Sequence, residues 1–391
     1  MSSAATLDGA PEARTRPPAL DVPTVVLTLS IVLLGLIMVT SASITIAGRD
    51  GDPFAYLERQ LVLVLLGLIA AAASFALPTR RLEQAAVPLL WVAIALLLAL
   101  FVPGLGHLVN GSRRWLRIAG LNFQASEAAR VLTLIYLASY AVRYEEALRS
   151  GFGGLARPLG LLAVIALLLL LEPDFGAASV LFLTGFGVLF LAGARLRWVL
   201  AMLLAAGGSM ALLVLFSDYR MRRLTAFLDP WADPYHTGFQ LTQSLIAIGR
   251  GAWFGVGLGA SVQKLFYLPE AHTDFLFAVL AEELGLVGVA ITLALFVALA
   301  WRALLIARRA YEAGLKFPCY LAAGFGLWLG AQAFVNIGVN MGVLPTKGLT
   351  LPLMSYGRSS LITTMAWLGI VLRVHYETTH GVRRATREGR A

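Results

Sequence analysis

Five ionisable side chains crowd one short stretch of the chain, Tyr267-Leu-Pro-Glu-Ala-His-Thr-Asp-Phe-Leu-Phe-Ala-Val-Leu-Ala-Glu-Glu283. Glu270, His272, Asp274, Glu282 and Glu283 stand at the mouth and in the first turns of an apolar run whose next charge is Arg302. An ionisable group at membrane depth is costly, and it is retained where it holds a partner, a proton or a substrate. Asp274 suits two roles. It can cap the helix that follows, since Asp is a preferred N-cap residue, or it can be the seat of chemistry, holding a proton or a substrate. The roles are compatible, because a capping carboxylate is rigidly held. Glu282 lies two turns deeper and about 80° around the helix from Asp274. Glu283 points elsewhere, and one of the two glutamates is expected to be buried and hydrogen-bonded in the bundle.

A second constellation, Gln124-Ala-Ser-Glu-Ala-Ala-Arg130, opens another apolar run. Glu127 and Arg130 share a helical face and can pair, as a structural ion pair or as an anchor for a substrate group. Glu172-Pro-Asp-Phe-Gly176 joins two apolar runs across a helix-breaking proline; it reads as a tight turn with Asp174 capping the next helix. Asn336, Asn340 and residues 344–360 form a polar segment interrupted by Gly and Pro. Irregular backbone at membrane depth is tolerated only where it is buried or lines a cavity.

The elements that position these groups are membrane helices. The 391 residues are 59% hydrophobic and only 14% charged, with mean hydropathy +0.78, which places the chain among polytopic membrane proteins. Apolar runs near the roughly 20 residues of a spanning helix recur, at about 24–46, 60–77, 86–103, 127–142, 158–172, 176–194, 197–216, 274–301, 318–341 and 358–373. No strand-length segment alternates with a period of two, which argues against a barrel. The fold class is therefore all-α, with ten spans and a long outer loop at about 217–273. Residues 1–22 are polar and proline-rich, without a signal peptide's apolar core, and read as a disordered tail before an uncleaved first anchor. Residues 23–374 form the membrane domain and 375–391 a basic tail. Arginines concentrate in alternate loops and in that tail, so both termini are expected in the cytoplasm.

The net charge of +9 is spread over short loops, which excludes the single basic stripe of a nucleic-acid binder. Cys319 is the only cysteine, so intrachain disulfides are excluded. The five histidines show no metal-ligand spacing, and a zinc site is not expected. Basic residues on the outer side depart from the topology rule: Arg220, Arg222, Arg223, Arg250 and Lys264 in the long loop, Arg113, Arg114 and Arg117 before the fourth span, and Lys347 near the last. They touch headgroups and solvent, or they form a cationic mouth for an anionic lipid, since arginine forks match phosphate. Within the long loop, Leu241, Leu245 and Ile248 make a helical stripe while Gln240, Gln243 and Ser244 gather on another face. This predicts an interfacial or re-entrant helix. Gly251, Gly255, Gly257 and Gly259 follow it, which suits a mobile or closely approached backbone.

Three segments together resemble the SEDS family (shape, elongation, division and sporulation proteins). They are Leu268-Pro-Glu-Ala-His-Thr-Asp-Phe275 with Glu282-Glu283, then Leu344-Pro-Thr-Lys-Gly-Leu-Thr-Leu-Pro352 with Ser355-Tyr-Gly357 and Ser359-Ser360, and Phe227-Leu-Asp-Pro-Trp-Ala-Asp-Pro234 followed by Gly238-Phe-Gln-Leu-Thr-Gln-Ser244. The likeness runs from about the first span to the tenth and leaves out the tails. It implies a ten-helix inner-membrane glycosyltransferase that polymerises lipid II, an undecaprenyl-pyrophosphate-linked disaccharide peptide, into β-1,4 glycan strands at the outer face, at the division septum. It also implies a class B penicillin-binding protein and other division proteins as partners. On this resemblance the catalytic aspartate falls on Asp274 and its paired glutamate on Glu127, with Arg130 where the family usually has Lys. Arg220, Arg222, Arg223, Gln240, Gln243, His272, Lys347, Ser355, Tyr356 and Ser359 are expected to bind substrate or support the site. A divalent cation, Mg or Mn, is expected with no organic cofactor. Ala125 stands in place of a usual proline, and Arg358 replaces the second glycine of a Tyr-Gly-Gly-Ser-Ser motif. Two other readings stay open, a lipid II flippase and a non-catalytic division scaffold. The enzyme is preferred because the acidic motif sits at the outer mouth, whereas a transporter's site lies nearer the midplane between repeats.

Overall fold

A computed structural model describes residues 20–49, 51–109, 112–118, 121–346 and 348–388. The N-terminal tail before Leu20 and Lys347 lie outside the described residues. The order is α1 (Val22–Arg49), α2 (Ala55–Ala76), α3 (Thr79–Gln84), α4 (Ala86–Ala99), β1 (Gly106–Val109), β2 (Ser112–Ile118), β3 (Leu121–Gln124), α5 (Ala125–Arg143), α6 (Glu145–Ser150) and α7 (Phe152–Leu171). There follow α8 (Phe175–Leu191), α9 (Leu196–Leu215), α10 (Asp218–Leu228), α11 (Phe239–Gly251), α12 (Leu276–Glu312), α13 (Lys316–Asn340) and α14 (Arg358–Glu388). Each apolar run read from the sequence falls on one of these helices. Five of them, α1, α2, α7, α12 and α13, are long and apolar enough to cross a membrane.

Helices meet closely where side chains are small, the mode of association available when lipid is as apolar as the protein. On α14, a Cβ at Gly369 would stand 2.2 Å from the Ala71 carbonyl of α2. At one end of the bundle Arg302 of α12 is bonded to Asp21, just before α1, and His375 of α14 lies 3.7 Å from the same carboxylate.

No period-two pattern announces the small antiparallel sheet β1-β2-β3 between α4 and α5. Its strands are four and seven residues long, too short for alternation to stand out. Even so, Leu116 is buried beside an exposed Arg117.

The ladder of α12 is broken at Gly285 (φ 64) by an inserted strap, residues 252–257. The carbonyls of Glu282 and Glu283 accept from Val256 and Gly257, at 2.9 and 3.1 Å, instead of from their own helix. The amides of Leu286 and Val287 donate instead to Ala252 and Trp253, at 2.9 and 3.2 Å. Such an approach needs glycine, because a Cβ on Gly255 (φ 80) would meet the Glu283 carbonyl at 2.1 Å. Of the four loop glycines, 251 and 255 are closely approached, while 257 and 259 face open space.

The expectation that one of Glu282 and Glu283 is buried understates the result, for both are fully buried. Glu282 accepts from Ser261, Val262 and Gln263. Glu283 accepts from Ser41 of α1 at 2.7 Å and from Lys264 at 2.8 Å. Arg250 and Lys264, expected at a cationic mouth, are engaged by these two glutamates.

Candidate active site

At the end of the bundle where α12 begins, a cavity of about 1040 Å³ opens between the start of α2, the sheet, the 270–275 segment and the loop from α13 to α14. Asp274 lies on its wall, half-buried. Among the described residues none donates a hydrogen bond to this carboxylate. Its Oδ2 stands 3.0 Å from where a Cβ on Gly348 would be, so the loop backbone covers one side of it. Burial pushes the carboxyl up to about 7, the charges of Glu270 and Asp174 push the same way, and Arg114 opposes them.

Asp274 does not cap α12. The N-cap position is Phe275, with no side-chain cap. The segment turns instead through the main chain, Phe275 N donating to the Glu270 carbonyl at 3.1 Å. An amide near the helix start, that of Ala278, is satisfied from outside by the Asn340 side-chain oxygen at 3.2 Å. Among the described residues the carboxylate thereby has no structural partner to hold.

Glu127, at the start of α5, lines the cavity and is paired with the fully buried Arg130. Arg130 donates to Gln332 of α13 at 2.8 Å, and Gln332 donates to the Thr350 carbonyl at 3.0 Å. The expected pair therefore exists and ties α5 to the loop that covers Asp274. Asp174 caps α8 as its spacing implies, accepting from Ala177 N at 3.1 Å, and it also accepts from Ser126 at 3.0 Å. Ser359 lines the cavity and accepts from Gln124 N at 2.8 Å.

His272 and Tyr356 line the cavity together with Tyr56, with ring centroids 4.9 to 5.7 Å apart. Burial holds His272 below its usual range, which keeps the ring neutral near pH 7. Gln240 reaches the cavity but Gln243 does not line it. The packed face of α11 runs through Leu241, Thr242, Ser244, Ala247 and Gly251, so Ser244 is buried rather than turned to a polar ligand. Ser355 is buried too, accepting from Leu351 N at 3.0 Å to hold the loop rather than to meet a ligand.

The cationic rim differs from the expected one. Arg222 is exposed on α10 and does not line the cavity. The side chains of Arg220 and Arg223, and Lys347 altogether, lie outside the described residues. The guanidinium groups on the rim belong to Arg59, Arg114 and Arg358. Arg114 is anchored by the Glu172 and Pro173 carbonyls. Arg59 and Tyr56 escape a motif-based reading, whereas Glu270 stands in the acidic motif already singled out. A basic residue at the outer end of the second span is the signal by which Arg59 could be found. Among the described residues no three His, Cys, Asp or Glu side chains come together as a metal site.

Comparison with known proteins bears on this geometry. A family model described as "Cell cycle protein", FTSW_RODA_SPOVE, matches residues 22–380. The chain is 57% identical over 357 residues to the probable peptidoglycan glycosyltransferase FtsW of Thioalkalivibrio sulfidiphilus, covering 90% of this chain and 89% of that one. It is 50% identical over 355 residues to the protein of the same name in Coxiella burnetii, covering 90% and 95%. Among solved structures, a chain described under structural coordination of polymerization and crosslinking by a peptidoglycan synthase complex superposes with TM-score 0.74 at 34% identity, over 92% of this chain and 98% of that one. The rod shape determining protein RodA of Thermus thermophilus superposes with TM-score 0.66 at 32% identity, over 92% and 97%.

Proposed function

The chain belongs to the FtsW/RodA/SpoVE family of cell cycle proteins, and from that premise we propose how it works as a peptidoglycan glycosyltransferase. It is a multi-pass membrane enzyme. Its substrate is lipid II, met at the outer face of the bacterial inner membrane at the division septum, and both termini lie in the cytoplasm. The observation that carries the mechanism is Asp274: a carboxyl on the wall of a large cavity, pushed up to about 7, that receives no hydrogen bond from a described residue.

Ionised, Asp274 takes the proton of the acceptor sugar's 4-hydroxyl. That oxygen bonds to the anomeric carbon of the donor as the bond to undecaprenyl pyrophosphate breaks, inverting the centre to a β-1,4 link. A general base supplies about 10²–10⁴-fold, so the remainder comes from orientation and from charge placed against the leaving group. Arg59, Arg114 and Arg358 supply that charge at the rim. Glu127 and Arg130 hold the loop over Asp274. Arg358, where the family has glycine, reads here as an added cation for the pyrophosphate.

Among the described residues no three His, Cys, Asp or Glu side chains form a cage for a resident divalent ion. Mg²⁺ is commonly carried by one or two carboxylates plus the phosphates of the substrate, and Mg or Mn would enter with the pyrophosphate in that way. The partner is a class B penicillin-binding protein that crosslinks the strands as they form.

The test is lipid II polymerisation by the purified protein with its partner. Asp274→Ala and Asp274→Asn are expected to lose about 10²-fold or more of the rate. Near-normal glycan from both would rule out the base.

A further inference from the structure

We infer that Asn336 and Asn340, one turn apart on α13, are positioning residues that fix the main chain at Asp274 and so set where its carboxylate stands. The inference rests on the glycosyl-transfer reading above. Two irregular segments meet at the carboxylate, residues 270–275 and residues 348–350 of the loop before α14. Neither belongs to a helical or strand ladder, so their buried carbonyls need donors from elsewhere.

The two asparagines supply them, three of their four amide hydrogens going to these segments and the fourth to the carbonyl of Asn336 itself. Asn336 Nδ2 donates to the Asp274 carbonyl at 2.9 Å and also to the Leu349 carbonyl. Asn340 Nδ2 donates to the same Asp274 carbonyl at 3.0 Å and to the Asn336 carbonyl at 2.9 Å. Two amides thus converge on one oxygen, filling both its lone pairs. Asn340 Oδ1 receives Ala278 N of α12, so the same side chain grips the chain on both sides of Phe275. The Asn340 carbonyl is itself held by Ser244 of α11 at 2.8 Å, which keeps the residue from sliding along its helix.

The grip has a second end. Leu349 follows Gly348, whose backbone lies against Asp274 Oδ2. By bonding both the Asp274 and Leu349 carbonyls, Asn336 sets the gap between the carboxylate and the wall that covers it. Glu270 adds to the need for such a clamp, because it sits in the left-handed region (φ 57), a conformation that persists only where its surroundings enforce it. Asn336 meanwhile leaves its Oδ1 buried without a partner. Stability alone does not favour an orphaned acceptor in a core, whereas the geometry of the base accounts for both donors.

The experiment is steady-state polymerisation of lipid II by the full chain with its partner, for wild type, Asn336→Ala, Asn340→Ala and Asp274→Asn, with thermal melting of each variant. In folded Asn336→Ala and Asn340→Ala we expect kcat to fall about 10- to 100-fold, the scale of a misplacement near 1 Å, with KM for lipid II within about threefold of wild type. The acidic limb of the pH–rate profile is expected to move as well. Among the described residues, the charged and titratable groups bearing on Asp274 are Glu270 in its own segment, Arg114 of β2 and Asp174 before α8, with Tyr56, Arg59, Glu127, His272, Tyr356 and Arg358 along the same cavity. All are unchanged in these variants, so a moved limb reports a moved carboxylate. Should an alanine variant not fold, Asn336→Ser or Asn340→Ser, keeping a donor of shorter reach, is expected to give a smaller loss of kcat with the same signature. A folded variant that keeps kcat within twofold, or loses it with an unmoved limb and a KM rising in parallel, overturns the positioning role. If Asp274→Asn polymerises like wild type, the general-base reading itself falls, a result distinguishable from failure of the clamp alone.

Discussion

The Asp274 carboxyl is pushed up to about 7. Burial disfavours its charged form, so below about pH 7 the carboxyl is protonated and cannot accept the acceptor's proton. Initial polymerisation rate is therefore expected to rise with an acidic limb near pH 7, not near the 3.8 of a free aspartate. A limb near pH 4 in the pH–rate profile would show that the working carboxylate is solvated. Glu172 gives a contrasting case. Burial pushes it up to about 8, the Asp174 charge adding to this, and neither of its buried oxygens has a hydrogen-bond partner. A carboxyl whose folded value is raised opposes folding once pH passes its unfolded value near 4.5, with the penalty complete above about 8. Glu172→Gln is therefore expected to raise the melting temperature at pH 8 and leave it unchanged at pH 4.5. Melting curves at both pH values decide it, and equal shifts would refute the assignment. At this scale Asp274 and the Glu127–Arg130 pair were legible from residue type and spacing. Of the two roles open to Asp274, capping is not realised, because the donor and acceptor atoms that replace the cap come from Asn340, 66 residues away.

Among the elements, α12 shows how far helix spacing carries. Its apolar period and the pair Glu282-Glu283 are plain in the sequence. The strap that breaks it at Gly285 is not, since the exchanged hydrogen bonds join residues about thirty positions apart. The buried Lys264–Glu283 pair, 3% and 0% exposed, fastens the chain just beyond this strap to α12 and to Ser41 of α1. Removing one member of a buried pair strands the other charge and costs about 3–5 kcal/mol, whereas replacing both by apolar groups is often far milder. Lys264→Met and Glu283→Leu are each expected to destabilise the protein on that scale, and the double variant by clearly less than their sum. A thermodynamic cycle from melting of the four detergent-solubilised proteins measures the coupling. Additive losses would mean that the pair does not fasten that segment. The sheet between α4 and α5 escaped notice for a related reason. Its strands are short and stabilised by one another, while Arg114, the residue that matters to the cavity, is held by carbonyls at the end of α7.

For the molecule as a whole, orientation ties the chemistry to its substrate. Beyond its break at Gly285, α12 runs over residues 286–312 and extends about 40 Å at 1.5 Å per residue, enough to cross a bilayer. The Gly285 end beside the Asp274 segment and the far end, where Arg302, Arg308 and Arg309 stand, therefore face opposite sides of any bilayer it crosses. Arginine-rich loops stay on the side of synthesis, so the cavity is expected at the outer face, the side the proposed polymerisation requires. The single cysteine makes this open to direct measurement. Cys319 is buried in α13, so an otherwise native chain offers little background to a thiol reagent. Trp253→Cys, on the exposed strap beside the cavity end, and Arg308→Cys, on an exposed turn near the opposite end, place one reporter on each side. A membrane-impermeant maleimide added to intact spheroplasts is expected to label the first and not the second until the membrane is permeabilised. The reverse pattern would put the cavity in the cytoplasm, away from any growing wall, and with it would fall both the sidedness read from the arginines and the polymerase built upon it.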